Sequence, residues 1–175
     1  MMEIRHLTED DGAAVERFID RIPEGDRTFF KEDVGHPEVI EAWKRPGAAR
    51  ALALDDREVI GYAAVEPLHG WSSHVGEVRV IVDPGHRGMG IGRALARQAV
   101  ADALRLGLSK MVVEVTADQD ATVAMFRSLG FDPEALLADH VRDKSGELHD
   151  LLILAHSVED ASAALRASGV ATELN

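Results

Sequence analysis

Hydrophobic and polar positions along the chain change between a two-residue and a 3.6-residue period, which is typical of alternating strands and helices. Alternation or a compact apolar run predicts seven β-strands, at residues 3–7, 51–54, 59–65, 75–82, 111–115, 135–141 and 148–156. Helical spacing predicts a first helix through Phe18 and Ile22, a short helix at residues 38–43 and a long helix at residues 90–106. The long helix carries an apolar arc over about half of its circumference, which indicates packing against a sheet.

Short capping patterns predict where the other helices begin. These caps are Thr8 with Asp11, Asp118 or Asp120 before a helix that ends at Gly130, and Ser157 with Asp160 before a last helix. Strands and helices in this order predict an α/β fold, with one mixed sheet and helices on both of its faces. Internal repeats and linkers are absent from the sequence, so we expect a single domain over residues 1–175.

Charge and composition narrow the class of protein. The chain has 19 Lys and Arg against 31 Asp and Glu, a formal net charge of −12. An acidic surface repels nucleic acid and anionic membranes, and we expect neither as a partner. The apolar runs are far shorter than the roughly 18 residues that a membrane-spanning helix needs.

The absence of cysteine excludes disulfides, thiolate nucleophiles, thiolate zinc sites and iron–sulfur clusters. The opening residues Met1-Met2-Glu3 contain no basic segment followed by an apolar one, so the expected location is the cytoplasm. The eight histidines form no metal-binding pair at i, i+4 on a predicted helix, and we therefore expect no metal.

A strand, a glycine-rich loop and a helix N-terminus follow one another at residues 77–93. Glycines 88, 90 and 92 allow backbone N–H groups to approach phosphate oxygens closely, and the helix start adds free donors. Between Arg79 and Arg97 the chain has four arginines and one acid, although its overall charge is negative. This segment predicts a site for a phosphorylated ligand.

Two other interpretations of the loop stay open at this point. Glycines spaced in this way also form ordinary tight turns. A dinucleotide fold has the same order of elements, and Glu114 would then be the acid that binds the ribose. The spacing here is G-x-G-x-G, however, and the dinucleotide fingerprint is G-x-G-x-x-G, so we keep an NAD(P)-binding protein only as a weaker alternative.

The same segment resembles the GNAT (Gcn5-related) N-acetyltransferase superfamily. Its acyl-CoA motif, Gln/Arg-x-x-Gly-x-Gly/Ala, is matched by Arg87-Gly88-Met89-Gly90-Ile91-Gly92. The preceding Val82-Asp83-Pro84 is similar to the end of the family's fourth strand. Downstream, Phe126-Arg127-Ser128-Leu129-Gly130-Phe131 resembles the end of its second motif, and the resemblance covers nearly the whole chain.

The resemblance implies a sheet of six or seven strands, flanked by helices and splayed open between strands 4 and 5, with acetyl-CoA in the gap. The residues that would hold the acetyl-CoA are Val80, Ile81 and Val82 on the strand, Arg87, Gly88, Met89, Gly90, Ile91, Gly92 and Arg93 at the loop, and Gln119. Pairing of the pantetheine arm with a strand would be a form of β-augmentation.

Family chemistry is direct attack of an amine on the thioester, which requires a base for the ammonium and a polarised carbonyl. We expect Glu77 to be this base and Glu114 to be the second candidate. In the family a tyrosine usually protonates the leaving thiolate, but Phe126 stands at that position. The only tyrosine, Tyr62, lies in the third predicted strand, where a core position is expected.

The sequence therefore predicts an N-acetyltransferase that uses acetyl-CoA and acts on a small-molecule or peptide amine, as a monomer or a homodimer. The alternative from another class is a non-catalytic acyl-CoA sensor, because Phe126 cannot donate a proton. Phe29, Phe30, Trp43 and Trp71 are expected to shape the acceptor side of the site.

Overall fold

A computed structural model describes residues 2–159 of the chain, which form one seven-stranded sheet. The strands follow the order β1-β2-β3-β4-β5-β7-β6, and β4 with β5 is the parallel pair. Both the α/β class and all seven predicted strands are confirmed. Their bounds are β1 Glu3–His6, β2 Ala49–Asp55, β3 Glu58–Pro67, β4 Val75–Val82, β5 Lys110–Thr116, β6 Asp132–Arg142 and β7 Leu148–Ser157.

Between the first and last of these strands, in the part of the chain that the structure describes, there are five α-helices. They are α1 Gly12–Arg21, α2 Glu24–Arg27, α3 Pro37–Trp43, α4 Ile91–Arg105 and α5 Asp120–Ser128. The short α2 had no counterpart among the predicted elements. Among residues 2–159, none of the helices is both long and apolar enough to span a membrane.

Two of the predicted caps can be compared with the structure. The Thr8 and Asp11 pair forms the expected reciprocal capping box. The cap predicted at Asp118 or Asp120 is wrong, because Gln119 precedes the first turn of α5. Asp120 instead lies in that first turn, where a carboxylate stabilises the positive end of the helix dipole. The helix predicted to follow Ser157 and Asp160 lies outside the described residues.

Helices cover both faces of the sheet, as predicted. On one face, Phe18 of α1 and Trp43 of α3 pack with Leu52, Tyr62 and Ile81 of the sheet. On the opposite face, α4 and α5 pack against the strands through a set of buried side chains that includes Leu95, Ala99, Val100 and Phe126. Successive side chains of a strand point to opposite faces, so the residue parity of β4 decides which layer each side chain enters.

The parallel strands β4 and β5 separate halfway along their length. Their paired register begins at Val75 with Lys110 and, in the part of the chain that the structure describes, ends at Val78 with Val113. On its other side β4 stays paired with β3 as far as Val82, and β5 stays paired with β7 to its end. The predicted splay between strands 4 and 5 is therefore confirmed, and it leaves an open gap.

Candidate active site

The gap is lined on one side by backbone groups of β4 that have no partner strand. Hydrogen bonds from Asp83 N–H to the Ile60 carbonyl and from Leu68 N–H to the Val75 carbonyl fix which residues face β3. In an antiparallel pair these positions alternate, so Val80 and Val82 direct their backbone groups into the gap. Ile81 differs, because its backbone faces Tyr62 of β3 and its side chain is buried.

A buried carboxylate fixes the turn that leads from β4 into the glycine-rich loop. Asp83 accepts hydrogen bonds from the Gly85 amide at 2.9 Å and from Arg21 Nε at 2.7 Å. Burial alone would raise the pKa of Asp83, but the hydrogen bonds from Arg21 and Gly85 outweigh it and lower the pKa. The ionised carboxylate is thus a stable anchor for the start of the loop.

The loop itself is exposed and has the left-handed backbone that its glycines allow. Gly88 and Gly90 have φ of 79° and 81°, and a Cβ built on either one would meet no atom within 4 Å. Arg87 and Met89 are exposed beside them, as is Arg93 in the first turn of α4. The loop thus has open space around its amides, directly before the positive end of a 15-residue helix.

The next two residues of the motif face the core. The Ile91 side chain is buried against β3, where it would be 3.1 Å from a Cβ at Gly61. A Cβ at Gly92 would lie 3.2 Å from the Met125 sulfur of α5. Ile91 and Gly92 therefore offer a ligand only their backbone, and Gly92 allows α5 to pack closely on α4.

The guanidinium of Arg87 already has partners in the protein. It donates to the Asp26 carboxylate of α2 at 2.6 Å and to the Val82 carbonyl at 3.3 Å. Another exposed pair, Lys144 with Glu24 at 3.2 Å, joins α2 to the turn between β6 and β7. An anion that binds at Arg87 would therefore compete with Asp26.

Gln119 lies at the end of β5, on the same edge of the sheet as the loop. Its N–H donates to the Thr116 carbonyl at 3.0 Å and its carbonyl accepts from Val123 at 3.0 Å. Its half-buried side chain makes no capping hydrogen bond to α5. Gln119 and the loop thus follow the carboxyl ends of the two strands that border the gap.

The two predicted catalytic carboxylates lie together on the face of the sheet opposite α4. Glu77 is aligned with Val112 of β5, and Glu114 is two residues further along. Lys31, which follows Phe30 in the segment between α2 and α3, donates from Nζ to Glu77 Oε1 at 2.7 Å and also to Glu114. A single ammonium group therefore links both carboxylates where the strands separate.

A largely buried arginine, with a side chain that is 11% exposed, holds Glu77 in place. Arg79 Nε donates to Glu77 Oε1 at 3.1 Å, and its NH1 donates to the Phe30 carbonyl at 3.2 Å. Burial raises the pKa of Glu77, but the Lys31 hydrogen bond and the charges of Lys31 and Arg79 outweigh it, so the pKa is lowered. Glu77 is thus ionised at neutral pH and able to accept a proton.

The aromatic residues expected on the acceptor side do not all lie there. Phe30 and Trp43 are buried and stack with centroids 6.0 Å apart, and Trp43 stacks on Tyr62 at 4.7 Å. Burial raises the pKa of Tyr62, which keeps its hydroxyl protonated. Trp71 is 98% exposed in the segment between β3 and β4. The rings of Phe30, Trp43 and Tyr62 thus form the core beneath the site.

Phe126, which replaces the usual tyrosine, is buried in the core. Its ring meets Phe131 edge to face at 5.2 Å and is 1% exposed. Both the residue type and its burial exclude it as a proton donor.

One further group of potential ligands lies at the turn between β6 and β7. Asp143, Glu147 and His149 place ligand atoms within 4.8 Å of one another. The Asp143 carboxylate accepts hydrogen bonds from Ser145 and Glu147 amides and pairs with His149 at 3.0 Å. These hydrogen bonds are those of a turn, and they explain why the three side chains lie close together.

Lys31 and Asp26 were not among the sequence-predicted site residues. Both lie between the first helix and the second strand, 46 and 61 residues from their partners Glu77 and Arg87. Local spacing contains no signal for such contacts. The segment between the first helix and the second strand is acidic and contains both residues. Charged residues of this kind are ordinary on a protein surface, so they do not indicate a site.

Comparison with known proteins agrees with this geometry. A model of the acetyltransferase (GNAT) family matches residues 17–131. The uncharacterised N-acetyltransferase YjgM of Escherichia coli K12 is 27% identical over 135 residues, which are 74% of this chain and 81% of that protein.

Solved structures share the fold over most of their length. A ribosomal-protein-alanine N-acetyltransferase of Brucella melitensis is 27% identical with a TM-score of 0.79, covering 89% of this chain and 99% of that one. The structure of yncA of Salmonella typhimurium with its cofactor acetyl-CoA has a TM-score of 0.73 at 23% identity, covering 90% and 94%. With the family pattern matched over more than half of its residues, the chain belongs to the acetyltransferase (GNAT) family of enzymes.

Proposed function

We propose that the protein transfers the acetyl group of acetyl-CoA to a primary amine, which attacks the thioester directly. The observation that carries the proposal is the continuity of the gap. Backbone groups of Val80 and Val82 that have no partner strand run from the glycine-rich loop to the two carboxylates Glu77 and Glu114. An activated acyl donor and an amine would meet where these features converge.

The residues along the gap fit the parts of acetyl-CoA. Gly88 and Gly90 leave open space around amides at a helix N-terminus, which suits a pyrophosphate. Arg87 and Arg93 add positive charge to this end. The free N–H groups of Val80 and Val82 suit the amides of a pantetheine arm, which would add to β4 as an extra strand does. Gln119 would contact the arm from the β5 side.

Acetyl-CoA supplies the activated acetyl thioester, and the chain supplies the proton transfers and the orientation. Glu77, ionised and held by Arg79, accepts the proton of the acceptor's ammonium. Glu114, on the same face, helps to bind that ammonium. A backbone N–H of β4 near Val82 donates to the acetyl carbonyl as negative charge develops on it.

Protonation of the leaving thiolate is assigned to water, because Phe126 cannot donate and Tyr62 is buried. Coenzyme A is acidic enough for its thiolate to leave without a dedicated acid.

The nature of the acceptor is proposed from charge and from relatives. The carboxylate pair favours a cationic amine, and the formal charge of −12 favours the same class. The name of the Brucella melitensis protein indicates a peptide amine as acceptor. The candidates are therefore small cationic amines and peptide amines.

A second function is favoured by one observation, the buried Phe126 in place of a tyrosine. A protein of this fold without a proton donor could bind acyl-CoA as a sensor and not turn it over. Release of free thiol distinguishes the enzyme from the sensor.

The test follows the release of free thiol from acetyl-CoA with a panel of polyamines, aminoglycosides and lysine- or alanine-terminated peptides. The proposal expects amine-dependent release, and thermal shift should show stabilisation by acetyl-CoA but not by NAD. Stabilisation without thiol release supports the sensor, and stabilisation by NAD alone supports the dinucleotide alternative.

A further inference from the structure

Lys31 is the one lysine among the described residues whose ammonium contacts two carboxylates. Its Nζ bonds both Glu77 and Glu114, and its side chain is 28% exposed. The other lysines each pair with one carboxylate, in the pairs Lys44–Glu41, Lys110–Glu134 and Lys144–Glu24. Lys31 is thus bound differently from every other primary amine on a described side chain.

The backbone of Lys31 is strained in a way that places this side chain. Its φ of 59° is left-handed, and its N–H donates to the Thr28 carbonyl at 3.1 Å to close a helical turn. Residues that carry a Cβ rarely adopt this conformation. Such a conformation persists where surrounding contacts hold the residue, and Lys31 is contacted by the Thr28 carbonyl and by the two carboxylates.

The ammonium lies at the narrow end of the gap. β4 and β5 separate after Val78 and Val113, and the two carboxylates precede and follow this point on one face of the sheet. An arm that enters at the glycine-rich loop and runs along β4 would end at the same point. Lys31 Nζ therefore occupies the place where the acceptor amine is proposed to bind.

We infer that Lys31 is itself an acceptor, so that the protein acetylates its own Lys31 in an intramolecular reaction. This inference rests on the proposed function. The ammonium transfers one proton to Glu77, and the resulting amine nitrogen forms a bond to the acetyl carbon. The carbon–sulfur bond breaks, and the second proton lost by the nitrogen ends on the departing sulfur. The products are acetyl-lysine and free coenzyme A, and Glu77 returns its proton to water.

Acetylation would also change the carboxylate pair. Acetyl-lysine is neutral, so Glu77 and Glu114 would lose the cation that they share, and an external ammonium could take its place. Removing the Lys31 hydrogen bond and charge also removes causes that lower the pKa of Glu77. A base with a higher pKa accepts a proton better near neutral pH.

The test is to incubate the full chain with acetyl-CoA at pH 7 and to measure its intact mass and peptide map over time. We expect one added acetyl group, on Lys31, at a fractional rate that does not change with protein concentration. Nonenzymatic acetylation should instead favour Lys144 and Lys110, whose side chains are 56% and 37% exposed. Modification that follows exposure, or that grows with protein concentration, overturns the inference.

Two variants give matched controls. Glu77→Gln should slow the acetylation of Lys31 at least tenfold and leave the slow labelling of Lys144 unchanged. Lys31→Arg should abolish the added acetyl group and retain the positive charge. Acetylation of Lys31 at the wild-type rate in Glu77→Gln would contradict the role of the carboxylate pair.

A readout without acetyl-CoA checks the position of Lys31. An amine-reactive acetyl ester should label Lys31 more slowly than Lys110, although their side chains are similarly exposed, because two carboxylates hold the ammonium. Equal labelling of both would contradict the paired position. If external amines are acetylated and Lys31 is not, the inference fails and the proposed function stands. If neither is acetylated, both fail.

Discussion

Replacing Glu77 by Gln removes the proposed base and leaves the shape of the site unchanged. Gln keeps a carbonyl oxygen that can accept from Lys31 and Arg79. Arg79 also keeps two other carboxylates, Glu32 at 3.3 Å and Glu66 at 3.4 Å, so no buried charge loses its last partner. We therefore expect a folded variant with nearly wild-type affinity for acetyl-CoA, because the glycine-rich loop lies at the far end of the gap.

The expected loss is in kcat. A positioned general base typically contributes about 10²–10⁴ in rate. At 1.36 kcal/mol for each factor of ten, this corresponds to about 2.7–5.4 kcal/mol of the barrier. The assay is thiol release at saturating acetyl-CoA with an amine acceptor identified from the panel.

The pH dependence of this loss follows from the lowered pKa of Glu77. In the wild-type protein the carboxylate stays ionised down to below the usual glutamic acid range near 4.3, so the base is present at neutral pH. The variant depends on amine that is already deprotonated, a fraction that rises about tenfold per pH unit below an amine pKa near 10.4. The difference between the two proteins should therefore shrink as the pH rises.

Glu114→Gln is the matched control, because Glu114 shares the Lys31 contact without the Arg79 contact. Wild-type turnover in Glu77→Gln with a large loss in Glu114→Gln would assign the base to Glu114. Wild-type turnover in both variants would refute any carboxylate base at this site.

Three further variants test other parts of the structure. Gly90→Asp should weaken CoA binding about tenfold or more relative to Gly90→Asn. Both residues tolerate positive φ, and only aspartate adds a negative charge beside the phosphate. Calorimetry that finds equal affinities for the two variants would contradict a phosphate site. Asp26→Asn should strengthen CoA binding by up to about fivefold at low salt, because it frees Arg87 from an exposed ion pair. Weaker binding by this variant would contradict the competition between Asp26 and the ligand. Asp11→Asn should lower the free energy of unfolding at pH 7 by about 1–3 kcal/mol, because the carboxylate accepts two bonds from Arg5. The Arg5 hydrogen bond is the largest cause of the lowered pKa of Asp11. The difference in unfolding free energy between the wild type and Asp11→Asn should therefore shrink as the pH falls below about 4, which urea denaturation measures. A difference that stays constant with pH would contradict this role of the carboxylate.

Elements with strong local signals could be predicted from the sequence. The strand predicted at residues 75–82 is β4 with the same bounds, and the long helix differs by one residue at each end. The glycine-rich loop is local as well, since its strand, glycines and helix follow one another directly. The cap predicted for α5 was wrong because Asp118 and Asp120 gave equal local signals, whereas Gln119 between them is the residue that precedes the helix.

The other half of the site depends on contacts between distant segments. Lys31 meets its partners 46 and 83 residues away, and nothing in the spacing of charges predicts the pairing. Phe30 and Trp43 were expected near the acceptor because the first helices shape that side of the site in the family that the sequence resembles. In the core instead, Phe30 stacks on Trp43 and Trp43 stacks on Tyr62, since burying large rings under an irregular segment stabilises it.

The proposed transfer reaction and the proposed acetylation of Lys31 both require acetyl-CoA to bind along the open edge of β4. Amide hydrogen exchange at single-residue resolution measures this directly, with and without coenzyme A. The amides of Val80 and Val82, which face the gap, should exchange much more slowly in the complex, whereas Ile81, already paired with Tyr62, should change little. Binding that leaves Val80 and Val82 unprotected would place the ligand elsewhere and contradict the proposed site.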